Sequence, residues 1–240
     1  MSTNEILLIT DSHLTEHCSE KTVFFSVLEK ISETDYDVLF LGDIFDVWIG
    51  FSGYETDIHR DFMSWCLREK SKRNLWFIEG NHEFFIHRNR KEYFTAVYPD
   101  FAVLDGGALY AVHGDKVNYH DKAFALLRGI LRNPFSCLLM KLFGYTGFGG
   151  SFSGKVRKDL QTTNQVQKRY FPEKELIEFE MNLKPAGIQF AVMGHFHLSE
   201  DVGAVTLLEN FTGRESSLGI YTSGKGIRRV TVREFLEVTE

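Results

Sequence analysis

Cysteine is scarce in this chain of 240 residues, and the three cysteines are far apart. Cys18, Cys66 and Cys137 form no C-x-x-C pair, so the sequence offers neither a disulfide framework nor a thiolate metal site. No stretch approaches the roughly 20 apolar residues of a membrane-spanning helix. The first residues also lack the basic start and long apolar segment of a secretory signal. We therefore expect a protein of the reducing cytoplasm.

Positive charge is concentrated in one part of the chain. The hydrophobic share of 43% and the charged share of 25% are ordinary for a globular protein, and the formal net charge is −6. Between residues 122 and 171, however, nine basic residues stand against one acidic residue, which leaves a net charge of −14 on the rest. This segment is expected to meet a negatively charged partner.

Short apolar runs alternate with helical patterns over the first hundred residues. Buried strands are predicted at residues 6–10, 38–41, 75–78, 108–112 and 189–193. Helices are predicted near residues 20–32, 56–72 and 88–97. This alternation predicts an α/β fold, and the β-rich tail after residue 200 predicts hairpins that extend a sheet or form a second one.

A helical block interrupts this pattern between residues 121 and 183. Asn133 followed by Pro134 predicts a helix start, because asparagine is a good N-cap and proline is preorganised for the first helical position. A glycine-rich segment follows, and further helices are predicted near 155–170 and 173–183. We interpret the block 121–183, called the lid, as an insertion over the functional site of a single domain spanning 1–240.

Five polar segments come after predicted strands. They are Asp11-Ser12-His13, Gly42-Asp43, Gly80-Asn81-His82, His113-Gly114-Asp115 and Gly194-His195-Phe196-His197. In open α/β sheets, ligands bind beyond the carboxyl ends of the strands. Each segment alone is more often a turn or a hydrogen-bonded structural histidine. Five of the nine histidines nevertheless fall in these segments, and that combination favours a functional site.

The residue types in these segments suit a pair of divalent metal ions. Asp11 and His13 are two residues apart at a strand end, so in an extended backbone both side chains project to the same side. His195 and His197 repeat this spacing, and Asp43 is a candidate carboxylate bridge between two cations. Without a cysteine ligand the site suits manganese first, with iron, cobalt, zinc or nickel as alternatives.

The ordered series Asp-x-His, Gly-Asp-x-x-Asp, Gly-Asn-His-Glu, His-Gly-Asp and Gly-His-x-His resembles the calcineurin-like metallophosphoesterases over residues 11–197. The resemblance implies a four-layer α-β-β-α sandwich. It implies one ion held by Asp11, His13, Asp43 and His197, and a second held by Asp43, Asn81, His113 and His195. It also implies that His82 is a catalytic residue that binds no metal and acts beside Asp43. Glu83 replaces the usual aspartate, and we expect it to orient His82 with a different reach.

Within that superfamily, the stretch from Gly42 to Gly50 followed by Gly-Asn-His-Glu-Phe-Phe resembles the UDP-2,3-diacylglucosamine pyrophosphatases of lipid A synthesis. The resemblance implies that a metal-activated water cleaves the diphosphate, giving UMP and 2,3-diacylglucosamine 1-phosphate. The implied partner is an acylated UDP-sugar, with peripheral contact at the cytoplasmic face of the inner membrane. Two alternatives stay open at this point: hydrolysis of another nucleotide or phospholipid phosphodiester, and a non-catalytic scaffold.

The lid supplies the candidate substrate contacts. Arg157, Asn164 and Lys168 share one helical face and resemble the polar face of the family's lid, and Asp121 follows the fourth polar segment. Asn81 and His195 are further candidates for contact with the substrate. Large aliphatic side chains are interleaved with the basic residues, so a lipid is favoured and no nucleic acid is expected. The plainer interpretation is an apolar core face with a solvated basic face opposite.

Overall fold

The computed structural model describes residues 5–117, 129–130, 132–145 and 173–237. The strands, in chain order, are β1 Ile6–Ile9, β2 Asp37–Phe40, β3 Trp48–Ile49, β4 Leu75–Ile78, β5 Glu83–Phe84, β6 Ala96–Tyr98, β7 Phe101–Leu104, β8 Leu109–Val112, β9 Phe190–Met193, β10 Asp201–Val202, β11 Val205–Leu207, β12 Ser217–Thr222 and β13 Gly226–Thr231. The α-helices are α1 Glu20–Ser32, α2 Asp57–Glu69, α3 Ile86–Asn89, α4 Pro134–Tyr145, α5 Glu173–Leu183 and α6 Val232–Glu237.

The larger sheet has six strands in the order β13-β12-β1-β2-β4-β6. Strands β1, β2, β4 and β6 are parallel, and the hairpin β12-β13 adds to β1 in antiparallel fashion. Apolar side chains on its outer face, such as Leu7 and Phe40, pack with Phe24 of α1 and Phe62 of α2. The parallel strands place the ends of β1, β2 and β4 at one edge of the sheet.

The second sheet has five strands in the order β10-β11-β9-β8-β7. Its central strands β8, β9 and β11 are parallel, and α5 covers its outer face through Leu176 and Leu183. Leu8 and Leu39 of the first sheet and Ala111 and Val192 of the second join one buried cluster between the sheets. The described residues thus form helix, sheet, sheet and helix layers, and the predicted four-layer α/β sandwich is confirmed.

Helix α4 begins where the sequence predicted. The Asn133 side-chain oxygen accepts the backbone N–H of Ser136 at 2.8 Å, and Pro134 is the first helical residue. The helix packs on the short turn Ser52–Tyr54, where the Tyr54 hydroxyl donates to the carbonyl of Met140.

Among the described residues, no helix combines the length and apolarity needed to cross a bilayer.

Two regions differ from the sequence expectation. The helix predicted near 88–97 is replaced by the single turn α3, a 3-10 turn at Lys91–Tyr93 and strand β6. Strand β6 forms because Trp76, Phe77 and Ile78 of β4 offer a free edge with which residues 96–98 pair. Within the predicted lid, α5 packs against the second sheet rather than standing over the site.

Candidate metal centre

Five strand ends converge at the seam between the two sheets. Asp11, Asp43 and Asn81 follow β1, β2 and β4 of the first sheet, while His113 and His195 follow β8 and β9 of the second. Hydrogen bonds join the sheets here. The backbone N–H of His195 donates to Asp11 Oδ2 at 2.8 Å, and the ring of His113 donates through Nδ1 to the carbonyl oxygen of Leu41 at 2.9 Å. The polar strand ends of the two sheets are therefore connected to each other by hydrogen bonds.

The first group of candidate ligands is formed by Asp11, His13 and His197. His197 Nε2 lies 3.2 Å from Asp11 Oδ1 and 3.4 Å from His13 Nε2. Asp11 Oδ1 is buried and has no hydrogen-bond partner, so these three atoms point at a common centre without satisfying one another. An unsatisfied buried carboxylate oxygen is costly, and a divalent cation would supply the missing partner.

The second group is formed by Asp43, Asn81, His113 and His195. Asn81 Oδ1 lies 3.0 Å from both His113 Nε2 and His195 Nδ1, and Asp43 Oδ2 lies 3.4 Å from His113 Nε2. His113 uses Nδ1 for the carbonyl of Leu41, which leaves Nε2 for the centre. Asp43 Oδ2 is also 4.0 Å from His13 Nε2, so its carboxylate stands between the two groups, as a bridge requires.

The candidate ligands hold an unusual backbone conformation. Positive φ angles occur at Asp11, His13, Asp43, His195 and His197, between 42° and 66°. This left-handed conformation replaces the extended backbone expected for the Asp-x-His segments. At two of these residues it is accompanied by cross-strand bonds: the N–H groups of Asp11 and His13 donate to the carbonyls of Gly42 and Asp43, each at 3.0 Å.

The charges of the site suit cation binding. Burial would raise the pKa of Asp43, but neighbouring His113 and His82 hold that pKa well below its usual range. Burial similarly opposes ionisation of Asp11, and the neighbouring His197 and His113 together outweigh it and lower the pKa of Asp11. Burial lowers the pKa of His195 to about 4. Burial also opposes protonation of His113, yet the Asp43 carboxylate raises the pKa of His113 to about 10, so a cation would displace that proton.

His82 lies beside the two groups, and a backbone carbonyl orients its ring. Its Nδ1 is 2.5 Å from the carbonyl oxygen of Asp46, which only accepts hydrogen bonds, so Nδ1 carries the proton. Nε2 then faces the centre, 3.8 Å from Asp43 Oδ2. The sequence marked His82, but its partner is a main-chain atom that no residue pattern identifies.

The structure gives Glu83 main-chain partners. Its carboxylate accepts the backbone N–H groups of Asp43, Ile44 and Gly80 at 2.8, 2.9 and 2.8 Å. Burial and the charge of Asp43 raise the pKa of Glu83 to about 8, although the three N–H donors favour the ionised form. Glu83 ties the loop after β4 to the loop after β2. Its side chain is longer than that of aspartate, and this length permits the contact.

Two glycines of the polar segments are required because carboxylate oxygens of the candidate ligands lie very close to them. A Cβ atom on Gly80 would lie 2.2 Å from Asp43 Oδ1, and one on Gly194 would lie 2.1 Å from Asp11 Oδ2. Any side chain at these positions would displace a candidate ligand.

Sequence reasoning missed Thr10, whose hydroxyl donates to Asp11 Oδ2 at 2.5 Å and leaves Oδ1 for the centre. Its position at the strand end, directly before Asp11, was the available signal.

The structure thus brings Asp43, the candidate bridge, together with the six other predicted metal ligands. The four lid residues predicted to contact substrate, Asp121, Arg157, Asn164 and Lys168, lie outside the described residues. Among the described residues of the centre, the side chains of His13 and His197 are partly exposed, while those of His82 and His113 are buried.

The four-layer fold, with carboxylate and imidazole side chains at its strand ends, defines a class of metal-dependent hydrolases. The family model described as calcineurin-like phosphoesterase matches residues 5–199, and the chain belongs to that family. It is accordingly a metal-dependent hydrolase of phosphoesters or phosphoanhydrides, and its candidate ligands suit the divalent metals that the family uses.

Several curated relatives share a more specific name. A UDP-2,3-diacylglucosamine hydrolase of Stutzerimonas stutzeri is 30% identical over 80% of this chain and 81% of its own length. Proteins of the same name from Pseudomonas paraeruginosa and Pseudomonas aeruginosa are 25% and 24% identical, over 80% and 96% of this chain and 81% and 90% of their own lengths.

Proposed function

We propose that this protein cleaves the diphosphate of an acylated UDP-sugar of the UDP-2,3-diacylglucosamine type, giving UMP and an acylated sugar 1-phosphate. The observation that carries the proposal is the apolar face of α4. Five large side chains lie on it at helical spacing and are 37–68% exposed: Phe135, Leu138, Leu139, Leu142 and Phe143. Exposed apolar faces of this kind commonly mark contact with a lipid, a ligand or a partner.

The position of α4 supports an acylated substrate. Arg132, directly before its N-cap, donates to the carbonyl oxygens of Gly80 and Glu83 in the loop that carries Asn81. A cavity of about 490 Å³ lies between α4 and the Ser52–Tyr54 turn, lined by apolar residues such as Phe51 and Leu138 and by basic ones. That volume lies within the range of small-molecule sites. The contact of Arg132 with the Asn81 loop supports an arrangement in which the acyl chain lies on α4 and the phosphate at the centre.

The proposed site roles follow from the atoms that face the centre. Asp11, His13, Asp43 and His197 would hold one ion, and Asp43, Asn81, His113 and His195 the other. Two bound cations supply a nucleophilic water and neutralise phosphate charge during in-line displacement. His82, with its Nδ1 proton committed to the Asp46 carbonyl, would present Nε2 to the phosphate at the centre, and a second proton on Nε2 would be needed for it to donate to a leaving oxygen. Manganese is the proposed metal, and the nitrogen and oxygen ligands equally suit iron, cobalt, zinc or nickel.

The basic segment 122–171 and the apolar face of α4 together support a second part of the proposal, peripheral contact with an anionic membrane. Such contact would give the enzyme access to a substrate held in the bilayer by its acyl chains. The lid positions Asp121, Arg157, Asn164 and Lys168 remain proposed substrate contacts.

The test compares three substrates with the Mn²⁺-loaded protein. UDP-2,3-diacylglucosamine, UDP-glucosamine without acyl chains and bis-p-nitrophenyl phosphate differ in acylation and in the group cleaved. We expect kcat/KM to be at least 100-fold higher for the acylated substrate, with UMP released. Equal kcat/KM on all three substrates would reject the lipid assignment and favour a general phosphodiesterase.

A further inference from the structure

A largely buried arginine connects α4 to the loop that carries Asn81 and His82. Arg132 precedes the N-cap residue of α4, and its side chain is only 15% exposed. Its Nη2 donates to the carbonyl oxygens of Gly80 at 2.5 Å and of Glu83 at 2.9 Å. These carbonyls lie on either side of the Asn81-His82 pair, so one guanidinium group holds both ends of that short loop.

The rest of the guanidinium group is anchored in the protein body. Its Nη1 donates to the carbonyl oxygen of Pro99 at 3.0 Å and lies 3.7 Å from Glu79 Oε2. Glu79 is completely buried, and its other carboxylate oxygen accepts the backbone N–H of His87 at 2.8 Å. A planar guanidinium can reach three carbonyls and a carboxylate at once, whereas a lysine ammonium cannot.

The same loop is fixed from its other side by Glu83, whose carboxylate accepts the N–H groups of Asp43 and Ile44. The side chain of Glu83 therefore ties the loop to the strand end that carries Asp43. Arg132 ties the loop to α4. Asn81 and His82 stand between these two attachments, so a shift of either attachment would move them relative to His113.

We propose that Arg132 is a positioning residue that holds the Gly80–Glu83 loop, so that the ion held by Asn81 and the orientation of His82 depend on the seating of α4. The inference rests on the proposed ligand role of Asn81. It predicts a selective effect: loss of Arg132 weakens the ion held by Asn81, while the ion held by Asp11, His13 and His197 stays bound.

The main variant is Arg132→Lys, which keeps a positive charge near Glu79 but removes the planar guanidinium group and its several N–H donors. Calorimetric titration with Mn²⁺ alone is expected to show one of two sites weakened by about 10- to 100-fold, as for other residues that orient metal ligands. The kcat on bis-p-nitrophenyl phosphate should fall by a similar factor. Both measurements are made well below the melting temperature of each variant.

The matched control is Arg73→Lys. Arg73 is also buried, and it bonds the buried carboxylate of Glu69 and the carbonyl of Tyr36. Tyr36 precedes β2, so this contact lies at the end of the strand opposite to Asp43. We expect Arg73→Lys to lower the melting temperature while both ions and kcat stay at wild-type values.

A second variant separates positioning from destabilisation. Glu79→Gln combined with Arg132→Gln removes both charges and leaves no uncompensated buried carboxylate, and it should show the same selective loss of one ion. Asn81→Ala is the reference for that ion: if it keeps both ions, the ligand assignment fails and the inference falls with it. If Asn81→Ala loses one ion while Arg132→Lys keeps both ions and has wild-type kcat, the Arg132 inference alone is overturned. It is also overturned if Arg132→Lys weakens both ions equally.

Discussion

At the scale of single residues, the candidate ligands combine backbone strain with exact side-chain support. A residue other than glycine in the left-handed region costs on the order of 1 kcal/mol or more, and five candidate ligands adopt it. The hydroxyl of Thr10 and the N–H of His195 fix one oxygen of Asp11, and the N–H of His82 fixes Asp43 Oδ1 at 2.9 Å. In both aspartates the other oxygen is left to face the centre.

Gly194 provides a test of this close packing at the residue scale. Gly194→Ala would place a methyl group 2.1 Å from Asp11 Oδ2 and from Thr10 Oγ1, so the carboxylate must move. We expect Mn²⁺ affinity to fall by about tenfold or more, measured by calorimetric titration. Gly129→Ala is the control, since its Cβ meets nothing within 4 Å. Similar affinities for the two variants would contradict the packing argument.

At the scale of elements, α2 contains a buried histidine that makes stability depend on pH. His59 donates through Nε2 to the carbonyl of Val47 and accepts the N–H of Thr56 at Nδ1, and its ring packs on Phe45. Burial lowers the pKa of His59 from 6.5 to about 4. As the pH falls through this window, the unfolded chain takes up a proton that the folded chain does not, so stability is lost on acidification.

His59→Gln removes this titrating group and gives the corresponding prediction. Its stability difference from wild type should shrink by about 2 kcal/mol between pH 7 and pH 5, because only the wild type loses stability through this group. Urea unfolding of both proteins across that range measures the change. A stability difference that is independent of pH would show that the ring of His59 titrates normally.

The apolar face of α4 gives a second prediction at this scale. Leu138→Glu with Leu142→Glu should reduce binding to phosphatidylglycerol vesicles by at least about tenfold in a sedimentation assay, because burial of each leucine contributes about 1.5–3 kcal/mol. The control places the same charges on α5, at Ile177 and Met181, which are 44% and 63% exposed. Equal loss of vesicle binding in both pairs would point to net charge rather than to α4.

At the scale of the whole molecule, the metal centre joins the two sheets. Its candidate ligands come from three strands of the first sheet and two of the second, so bound ions would bridge the layers of the sandwich. Ions that bind only the folded chain stabilise it by about 2.7 kcal/mol at a free concentration 100 times the Kd. The centre is therefore expected to contribute to stability as well as to catalysis.

Metal removal tests this expectation. Dialysis against EDTA should abolish hydrolysis and lower the melting temperature by about 5–10 °C, and Mn²⁺ should restore both. Differential scanning calorimetry and turnover of bis-p-nitrophenyl phosphate give the two measurements. Full activity after removal of all bound metal would be incompatible with the proposed ligand roles.

Features that depend on neighbouring residues in the chain were predictable. Asn133 and Pro134 marked the start of α4 because capping needs only the next few residues. The helix predicted near 88–97 was wrong, because the pairing of β6 with β4 outweighs local helical preference. The partners of Glu83 were not predictable either, because two of them are main-chain N–H groups about 40 residues earlier in the chain.

By itself, the sequence determined the order and chemical types of the polar segments and the strands before them, and through these the family and reaction class. Such information is local, since hydrophobic period, capping and motif spacing are written in consecutive residues. Only the tertiary structure decided that Asp43 stands between two groups of candidate ligands, that Asp46 orients His82 through its carbonyl, and that Arg132 joins α4 to the Asn81 loop. These arrangements depend on contacts between distant segments, which form only when the two sheets pack together.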